Sequence, residues 1–381
     1  MTRTRFAVLA EIVLSALAAT PAAHAGPTSS TTAIVSMGDS FISGEAGRWQ
    51  GNSLNFLGTR DGTDRAASCT LGIFCSYDAH RVYGSSYDNG CHRSDVAEIK
   101  SASISVNEKI NIACSGAKTV NIRRASQGGQ AFKGEAPQAD QLATIAQQKN
   151  VKLVVLTISA NDLGFSDHVI NCTVAWTLGY TCHNAEQASI VAALPAAKAG
   201  LRMAVDDVRA VMAGAGYGPS QWRLLLQGYS SPVPVGADIR YPETSWSRLT
   251  EGGCPFYDSD ANWAKNTATP TIVDNMRSVA SEKGVQFLDV RDALNSHEVC
   301  NRASYIVNGS HPVSGSQSEW VRWLNSGCCQ GDAQESLHPN AFGEQAIGRC
   351  VTLIYGQSSG NYSCRNTPGL SYTSMFLQPI P

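Results

Sequence analysis

Short apolar runs alternate along this chain with longer stretches in which apolar residues recur at helical spacing. The short runs predict buried strands, and the longer stretches predict helices that cover a sheet. The predicted strands are residues 34–37, 109–113, 151–158, 222–229 and 285–290. The alternation predicts an α/β fold of three layers (α/β/α) around a mostly parallel sheet of about five strands.

Helical spacing is clearest in a small number of segments, and Pro195 is expected to break or kink the longest of them. These predicted helices cover residues 94–100, 136–149, 187–213 and 339–354, with another that ends near Ala280. Between them lie long irregular stretches at 45–91, 167–186, 241–258 and 295–332. Most of these stretches follow the carboxyl ends of strands, so we expect them to form one rim. With no repeat and no linker, residues 33–381 are expected to form a single domain.

The amino terminus is typical of an export signal. Arg3 and Arg5 precede a mainly apolar stretch at 6–19, and Ala23-His24-Ala25 fits a cleavage site. We therefore expect a signal peptide at 1–25, a flexible lead-in at 26–32 and a secreted protein. No later segment is expected to span a membrane.

Composition narrows the class of partner. The formal net charge is −2 over 381 residues, which gives no basic field for nucleic acid. All 12 cysteines follow the signal, and an even number in an exported chain predicts up to six disulfides. Cys91–Cys114 and Cys172–Cys182 are the short-range pairings we consider. Zinc is disfavoured because no paired Cys-x-x-Cys motif occurs, and no cofactor is implied.

Candidate chemistry begins where the first predicted strand ends at Gly38-Asp39-Ser40. A glycine permits a sharp turn there, which would present the Ser40 hydroxyl at the sheet edge where α/β proteins bind ligands. A serine nucleophile needs a base and donors for an oxyanion. The alternative is that Asp39 and Ser40 only cap a helix.

Three further segments could complete such a site: Ser115-Gly116, Asn161-Asp162 and the stretch Glu335-Ser336-Leu337-His338-Pro339-Asn340. Acyl transfer requires a nucleophile, a base, a group that orients the base and oxyanion donors. Each segment also has a plain interpretation, since Asn-Asp is common in turns and His338 could simply precede a helix.

Together, the four segments resemble the blocks of the SGNH hydrolases, also called GDSL esterases and lipases, and in particular a secreted actinomycete-like branch. The matching residues are Ser40 in MGDSFISG, Gly116 in ACSGA, Asn161 in SANDLGF and His338 in ESLHPN. The resemblance implies a flavodoxin-like α/β/α fold. It also implies Ser40 as nucleophile, His338 as base, and an oxyanion hole from the Ser40 and Gly116 N–H groups and the Asn161 amide.

Two positions depart from the family pattern. Ser159 stands where the third block usually has glycine, which we expect to be a small change. Glu335 stands where the last block usually has aspartate, so it is the predicted orienter of His338. Asp332 or a backbone carbonyl could take that part instead.

The predicted function is a secreted serine ester hydrolase, of esterase, lipase or phospholipase A type, that works through an acyl-enzyme. Lipid-like esters would suit a groove lined by aromatic residues between 49 and 87, which could equally be packing residues, and transient contact with lipid surfaces is compatible with this. The alternatives are a carbohydrate esterase, or a non-catalytic carbohydrate-binding module that uses Trp49, Trp320 and Trp323 as stacking platforms. The sequence does not specify the oligomeric state.

Overall fold

The computed structural model of the protein describes residues 29–71, 74–325, 327 and 329–380. The predicted signal peptide (1–25) and the first part of the predicted lead-in (26–28) lie outside the described residues. Thr32 at the end of that lead-in already belongs to the first strand.

Two sheets are formed by the described residues. Their strands are β1 (Thr32–Gly38), β2 (Ala67–Thr70), β3 (Phe74–Tyr77), β4 (Glu108–Asn111), β5 (Asn150–Thr157), β6 (Arg223–Gln227), β7 (Gln286–Asp289), β8 (Asn361–Arg365) and β9 (Phe376–Ile380). The main sheet has the order β4-β1-β5-β6-β7-β8-β9, and β2 and β3 form a separate antiparallel hairpin. All five predicted strands are present and mutually parallel. The prediction missed β8, which is parallel to β7, and β9, which is antiparallel to β8.

Helices cover both faces of this sheet. They are α1 (Ser40–Ser43), α2 (His80–Tyr83), α3 (Glu98–Ser101), α4 (Thr119–Ile122), α5 (Gln138–Gln148), α6 (Phe165–Leu178), α7 (His183–Gly214), α8 (Ser247–Thr250), α9 (Asp258–Trp263), α10 (Thr269–Lys283) and α11 (Ala341–Tyr355). A π-helical segment, Ala264–Ala268, joins α9 to α10. On one face α3 and α11 pack together against strands, and on the other α5 and α10 lie against the sheet with α7 packed on both. The predicted three-layer α/β/α architecture is confirmed.

The core lies between the sheet and these helices. Strand residues such as Val35, Val154, Leu226 and Phe287 are buried. Parallel strands covered on both faces are expected to have continuous apolar runs rather than alternation, as β5 has over 153–156 and β6 over 224–226.

The longest helix, α7, runs through Pro195, so the predicted break does not occur. Proline removes one hydrogen bond to the carbonyl four residues earlier. That carbonyl belongs to Val191, an exposed residue, so water can satisfy it. By length and composition α7 could also cross a membrane, contrary to the expectation for the later segments, but core helices of soluble proteins meet the same criterion.

Disulfides fasten the irregular stretches to this framework. The described pairs are Cys69–Cys75, Cys91–Cys114, Cys172–Cys182, Cys254–Cys300 and Cys350–Cys364. Both pairings considered from the sequence are confirmed. Cys329 is also disulfide-bonded, while Cys328 lies outside the described residues.

Candidate active site

Ser40 follows the carboxyl end of β1, which lies between β4 and β5 in the sheet. The turn depends on Gly38, whose φ of 144° favours glycine and where a Cβ atom would lie 1.9 Å from the Thr157 carbonyl oxygen. Asp39 then caps α1 by accepting a hydrogen bond from the Phe41 N–H at 3.1 Å. Ser40 is the first residue of α1, so its own N–H has no acceptor within the helix.

His338 reaches the same edge from the turn before α11. Leu337 adopts a left-handed conformation (φ 59°), which reverses the chain directly before the histidine. Asn340 then caps α11 by accepting from the Phe342 N–H at 3.0 Å. The His338 carbonyl accepts from the Arg322 N–H at 2.9 Å, which fixes the backbone of this turn.

The imidazole of His338 connects Ser40 to a backbone carbonyl. Its Nε2 atom lies 2.7 Å from Ser40 Oγ, and its Nδ1 atom lies 2.9 Å from the Ser336 carbonyl oxygen. Because a carbonyl oxygen can only accept, Nδ1 must carry the proton. In the neutral ring Nε2 is then the acceptor and the Ser40 hydroxyl donates to it. This is the tautomer that a general base needs.

Glu335 does not hydrogen-bond to the His338 ring, so the structure does not bring together the third member of the predicted triad. Its buried carboxylate accepts from Trp49 Nε1 at 2.8 Å and from the Tyr83 hydroxyl at 2.6 Å. It also accepts from the Asp332 N–H at 3.0 Å, which closes a capping box. These three donors, rather than the imidazole, hold the Glu335 carboxylate. Asp332, the second candidate, is the N-cap of the short 3₁₀ helix Ala333–Glu335 to which this capping box belongs.

The electrostatic surroundings of His338 keep it neutral. Burial lowers the pKa of His338, and the nearby His92 lowers it further, while Glu45 and the backbone carbonyls act in the opposite direction. Glu45 is itself held by His92 at 2.6 Å and by Gln334 at 2.9 Å. At neutral pH the imidazole is therefore free to accept a proton.

The two predicted oxyanion segments meet beside Ser40. The Asn161 side-chain amide donates to the Ala117 carbonyl at 3.0 Å, and the Asp162 carboxylate accepts from the Thr119 N–H at 2.9 Å. Gly116 has a φ of 87° in the turn just before Ala117. These contacts fix the second block against the third. The oxyanion roles of the Ser40 and Gly116 N–H groups and of Asn161 remain predictions.

Ser159 occupies its position less easily than the sequence suggested. Its φ is 122°, in a region that favours glycine, and its buried hydroxyl has no hydrogen-bond partner among the described residues. The substitution of the usual glycine is therefore a change in backbone strain as well as in side chain.

An apolar pocket opens beside Ser40 and His338. It is lined by residues of α6, α9, the π-helical segment and α10, including Phe165, Val169, Trp263, Ala268 and Ile272. This wall lies mostly in regions that the sequence pattern did not single out. The prediction that 167–186 is irregular is wrong over most of α6, whose apolar residues lie on both faces and obscure the helical period.

The aromatic residues considered from the sequence do not line this pocket. Trp49 and Tyr83 are instead buried around Glu335. Trp49 and Trp320 are 0% exposed and Trp323 is 7% exposed, so none of the three can act as a stacking platform. The alternative interpretation as a carbohydrate-binding module therefore loses the exposed tryptophans on which it depended.

Sequence reasoning also missed buried polar residues next to the site. His92, His168 and His297 are buried, although they lie in or next to stretches that the sequence predicts to be irregular. Tyr229, which lines the pocket, hydrogen-bonds to Asp39. Its only sequence signal is its position as the last residue of the predicted strand 222–229, at the edge where the site lies.

The site thus consists of a mostly parallel sheet, covered by helices on both faces, with the Ser40 and His338 side chains in contact at its carboxyl edge. The chain belongs to the GDSL-like lipase/acylhydrolase family, whose sequence model matches residues 83–346, more than half of the chain. The match includes His338 and begins after Ser40. As a member of this family the protein is an ester hydrolase.

Solved structures with low sequence identity to this chain were also found. They include an extracellular lipase from Streptomyces rimosus, with 19% identity and a TM-score of 0.47, in an alignment that covers 86% of this chain and 100% of the lipase. They also include a phospholipase A1 from Streptomyces albidoflavus, with 19% identity and a TM-score of 0.45, in an alignment that covers 85% of this chain and 99% of the phospholipase. A carbohydrate acetylesterase from Sinorhizobium meliloti is more distant, with 13% identity and a TM-score of 0.28, in an alignment that covers 74% of this chain and 91% of the acetylesterase. Similarity this low does not define a substrate. No curated protein matches the sequence.

Proposed function

We propose that this protein is a serine carboxylic-ester hydrolase that cleaves lipid-like esters through an acyl-enzyme. The observation that carries the proposal is the 2.7 Å contact between Ser40 Oγ and His338 Nε2, with the Ser336 carbonyl behind Nδ1. Ser40 supplies the nucleophile, His338 the base and the Ser336 carbonyl the group that orients the base, as acyl transfer requires.

In the proposed mechanism, Ser40 Oγ attacks the ester carbonyl carbon while His338 Nε2 takes the hydroxyl proton. The resulting oxyanion is stabilised by the Ser40 and Gly116 N–H groups and the Asn161 amide. His338 gives its proton to the leaving alcohol, which leaves an acyl-Ser40 ester. Water then attacks this ester as His338 takes its proton, the bond between the acyl carbon and Ser40 Oγ breaks, the carboxylic acid leaves, and His338 returns the proton to Ser40. The Ser336 carbonyl, with its partial negative charge, stabilises the imidazolium in both steps.

The nature of the pocket supports an acyl chain as the group next to Ser40. Its described wall is dominated by aliphatic and aromatic side chains, with few polar groups for sugar hydroxyls. Lipid-like carboxylic esters, including phospholipid acyl chains, fit it better than acetylated polysaccharide. The test is hydrolysis of a graded p-nitrophenyl ester series beside phosphatidylcholine and acetylated xylan. A strong preference for acetylated xylan would reject the lipid assignment.

Nucleophile identity is tested by labelling with a fluorophosphonate. The wild-type protein should be labelled stoichiometrically at Ser40, and Ser40→Ala should be neither labelled nor active while it remains folded by circular dichroism. Ser43→Ala, a change in the same short helix, should keep both properties. Hydrolysis by purified Ser40→Ala near the wild-type rate would refute the serine mechanism.

Transient contact with a lipid surface is supported by the outer face of α6. Ile170 (59% exposed), Val174 (45%) and Leu178 (68%) recur every four residues, and the exposed Trp246 packs edge-on against Trp176 of the same helix. The inner face of α6 lines the pocket, so a lipid held outside would lie near its entrance. Ile170→Ser with Leu178→Ser should weaken binding to phosphatidylcholine vesicles and spare hydrolysis of a soluble ester.

Met203→Ser on α7, which also removes an exposed apolar side chain, is the matched control. Equal vesicle binding by the α6 variant, the Met203→Ser variant and the wild type would exclude this surface.

Secretion is the remaining part of the proposal. Five described disulfides fit an oxidising compartment, and the signal-like segment precedes the described residues. Amino-terminal sequencing of protein recovered from the culture medium should begin at Gly26. Recovery only inside cells with an intact amino terminus would contradict export.

A further inference from the structure

The hydroxyl of Tyr229 lies between the two turns that carry Ser40 and Asn161. It donates to Asp39 Oδ2 at 2.5 Å and accepts from the Ala160 N–H at 3.2 Å. Asp39 precedes Ser40 and Ala160 precedes Asn161, so one buried hydroxyl contacts the residue before each. Tyr229 comes from a third strand end, just after β6.

We propose that Tyr229 is a positioning residue whose hydroxyl sets the separation between the Ser40 nucleophile and the Asn161 amide. This inference rests on the proposed function, in which those two groups act on one ester carbonyl. The Tyr229 ring also packs edge-on against Phe41, with 5.3 Å between the ring centroids. The ring position therefore does not depend on the hydroxyl alone.

Asp39 has no easy substitute for this contact. Its other oxygen, Oδ1, is taken by the Phe41 N–H that starts α1. Burial raises the pKa of Asp39 to about 7, and the hydrogen bond from Tyr229 opposes that rise. Without the hydroxyl, a buried carboxyl oxygen and the Ala160 N–H would both lose a partner. Both turns would then relax independently, and misplacement by about 1 Å can cost ~10² in rate.

Tyr217 offers a matched control. It is likewise buried, and its hydroxyl accepts from the Val151 N–H at 2.9 Å and donates to the Lys149 carbonyl at 2.5 Å. These contacts lie at the amino end of β5, whereas Tyr229 acts beyond its carboxyl end. Tyr217→Phe and Tyr229→Phe each remove one buried hydroxyl that accepts from a backbone N–H, and each retains the ring.

The experiment compares kcat, KM and the rate of fluorophosphonate inactivation for both variants at a temperature where each is folded. Tyr229→Phe should lower kcat and the inactivation rate by ~10–10², with KM for a soluble ester within about twofold of wild type. Its pH profile should also shift, because Asp39 loses a hydrogen bond that favours its ionised form. Tyr217→Phe should lower the melting temperature with kcat within about twofold.

A kcat for Tyr229→Phe equal to that of Tyr217→Phe would overturn the positioning role. Should Tyr229→Phe fail to fold, Asp39→Ala removes the same contact from its other side, and wild-type kcat there would overturn the role as well. Failure of the proposed function is distinguishable, because it would appear as full activity in Ser40→Ala. Full activity in Tyr229→Phe with an inactive Ser40→Ala would reject only the inference about Tyr229.

Discussion

The Nδ1 atom of His338 lies 2.9 Å from the carbonyl oxygen of Ser336, only two residues earlier in the chain. The group that orients the imidazole therefore belongs to the same turn as the imidazole. Its position depends on the backbone of residues 336–338 and on whatever holds that backbone in place, rather than on an acidic side chain.

Glu335→Gln should therefore reduce stability more than turnover. The carboxylate accepts from Trp49, Tyr83 and the Asp332 N–H, and an amide nitrogen would face one of these donors. We expect a loss of about 1–3 kcal/mol in the free energy of unfolding, because a buried donor is left unpaired. We expect kcat/KM of the folded protein to fall less than about tenfold, against ~10⁴ for the acid of a Ser-His-Asp triad.

Chemical denaturation and kinetics on one soluble ester measure both quantities for Glu335→Gln. Asp332→Asn serves as the control for the capping box. A loss of 10³ or more in kcat/KM with unchanged stability would restore Glu335 as the orienter.

The acidic limb of the pH profile of kcat/KM should reflect the pKa of His338. It should shift when charged residues near His338 are replaced. Burial lowers the pKa of His338, so kcat/KM should rise with pH to a plateau that begins below the usual value for histidine. His92 lowers this pKa and Glu45 raises it. His92→Asn should therefore move the limb to higher pH, and Glu45→Gln should move it to lower pH. Shifts in the same direction would contradict this electrostatic account.

Stability should decline as pH rises through neutrality because of a buried pair of carboxyl groups. Glu98 and Glu344 are both buried, and the Glu98 N–H donates to Glu344 Oε2 at 2.9 Å. Burial raises the pKa of Glu98 from 4.5 to about 8 and raises that of Glu344 well above its ordinary value. Above pH 4.5 the folded state holds protons that the unfolded state releases, so the free energy of unfolding falls with pH.

Glu98→Gln should flatten this dependence between about pH 5 and pH 8 by at least about 1.4 kcal/mol, the value of one pKa unit. The Gln227 amide, which donates to Glu98, can still find one acceptor in the variant. Glu282→Gln, at an exposed carboxylate whose pKa is lowered, is the control and should keep the wild-type slope. Identical slopes for Glu98→Gln and the wild type would contradict the prediction.

Ala268→Leu should shorten the preferred acyl chain. Ala268 is buried and lines the pocket from the π-helical segment, so a larger side chain would take up space there. The ratio of kcat/KM for long to short p-nitrophenyl esters should fall about tenfold or more, since one methylene in such a pocket is worth about 1–3 kcal/mol. Ala280→Leu, also buried but not lining the pocket, should leave the ratio unchanged. Equal ratios in both variants would place the acyl chain elsewhere.

The strands that bear the site were predictable because buried parallel strands are continuous apolar runs. β5 and β6 are of this kind, and their carboxyl ends indicated where Asn161 and Tyr229 would lie. β8 and β9, at one end of the sheet, were not predictable, because both mix polar and apolar residues and the edge strand β9 contains Pro379. Edge strands tolerate such residues, so their sequences give little signal.

The roles of individual polar residues were less predictable than the elements. The spacing of three residues before His338 predicted Glu335 as the orienter of the imidazole. The Glu335 carboxylate is instead bound by Trp49 and Tyr83, which are 286 and 252 residues away in sequence. The Ser336 carbonyl has no sequence signature at all. Burial of His92 and the clustering around Glu45 also arise only from the tertiary packing of the 45–91 stretch.

Each of the five described disulfides joins a cysteine to the next cysteine along the chain. A polypeptide that emerges into an oxidising compartment from its amino terminus onward therefore meets each correct partner before any later competitor appears. For these pairs, the simplest order of oxidation during translocation is also the native order. An oxidant alone suffices for them when the chain is delivered vectorially, whereas oxidation of the full-length denatured chain offers every wrong pairing at once.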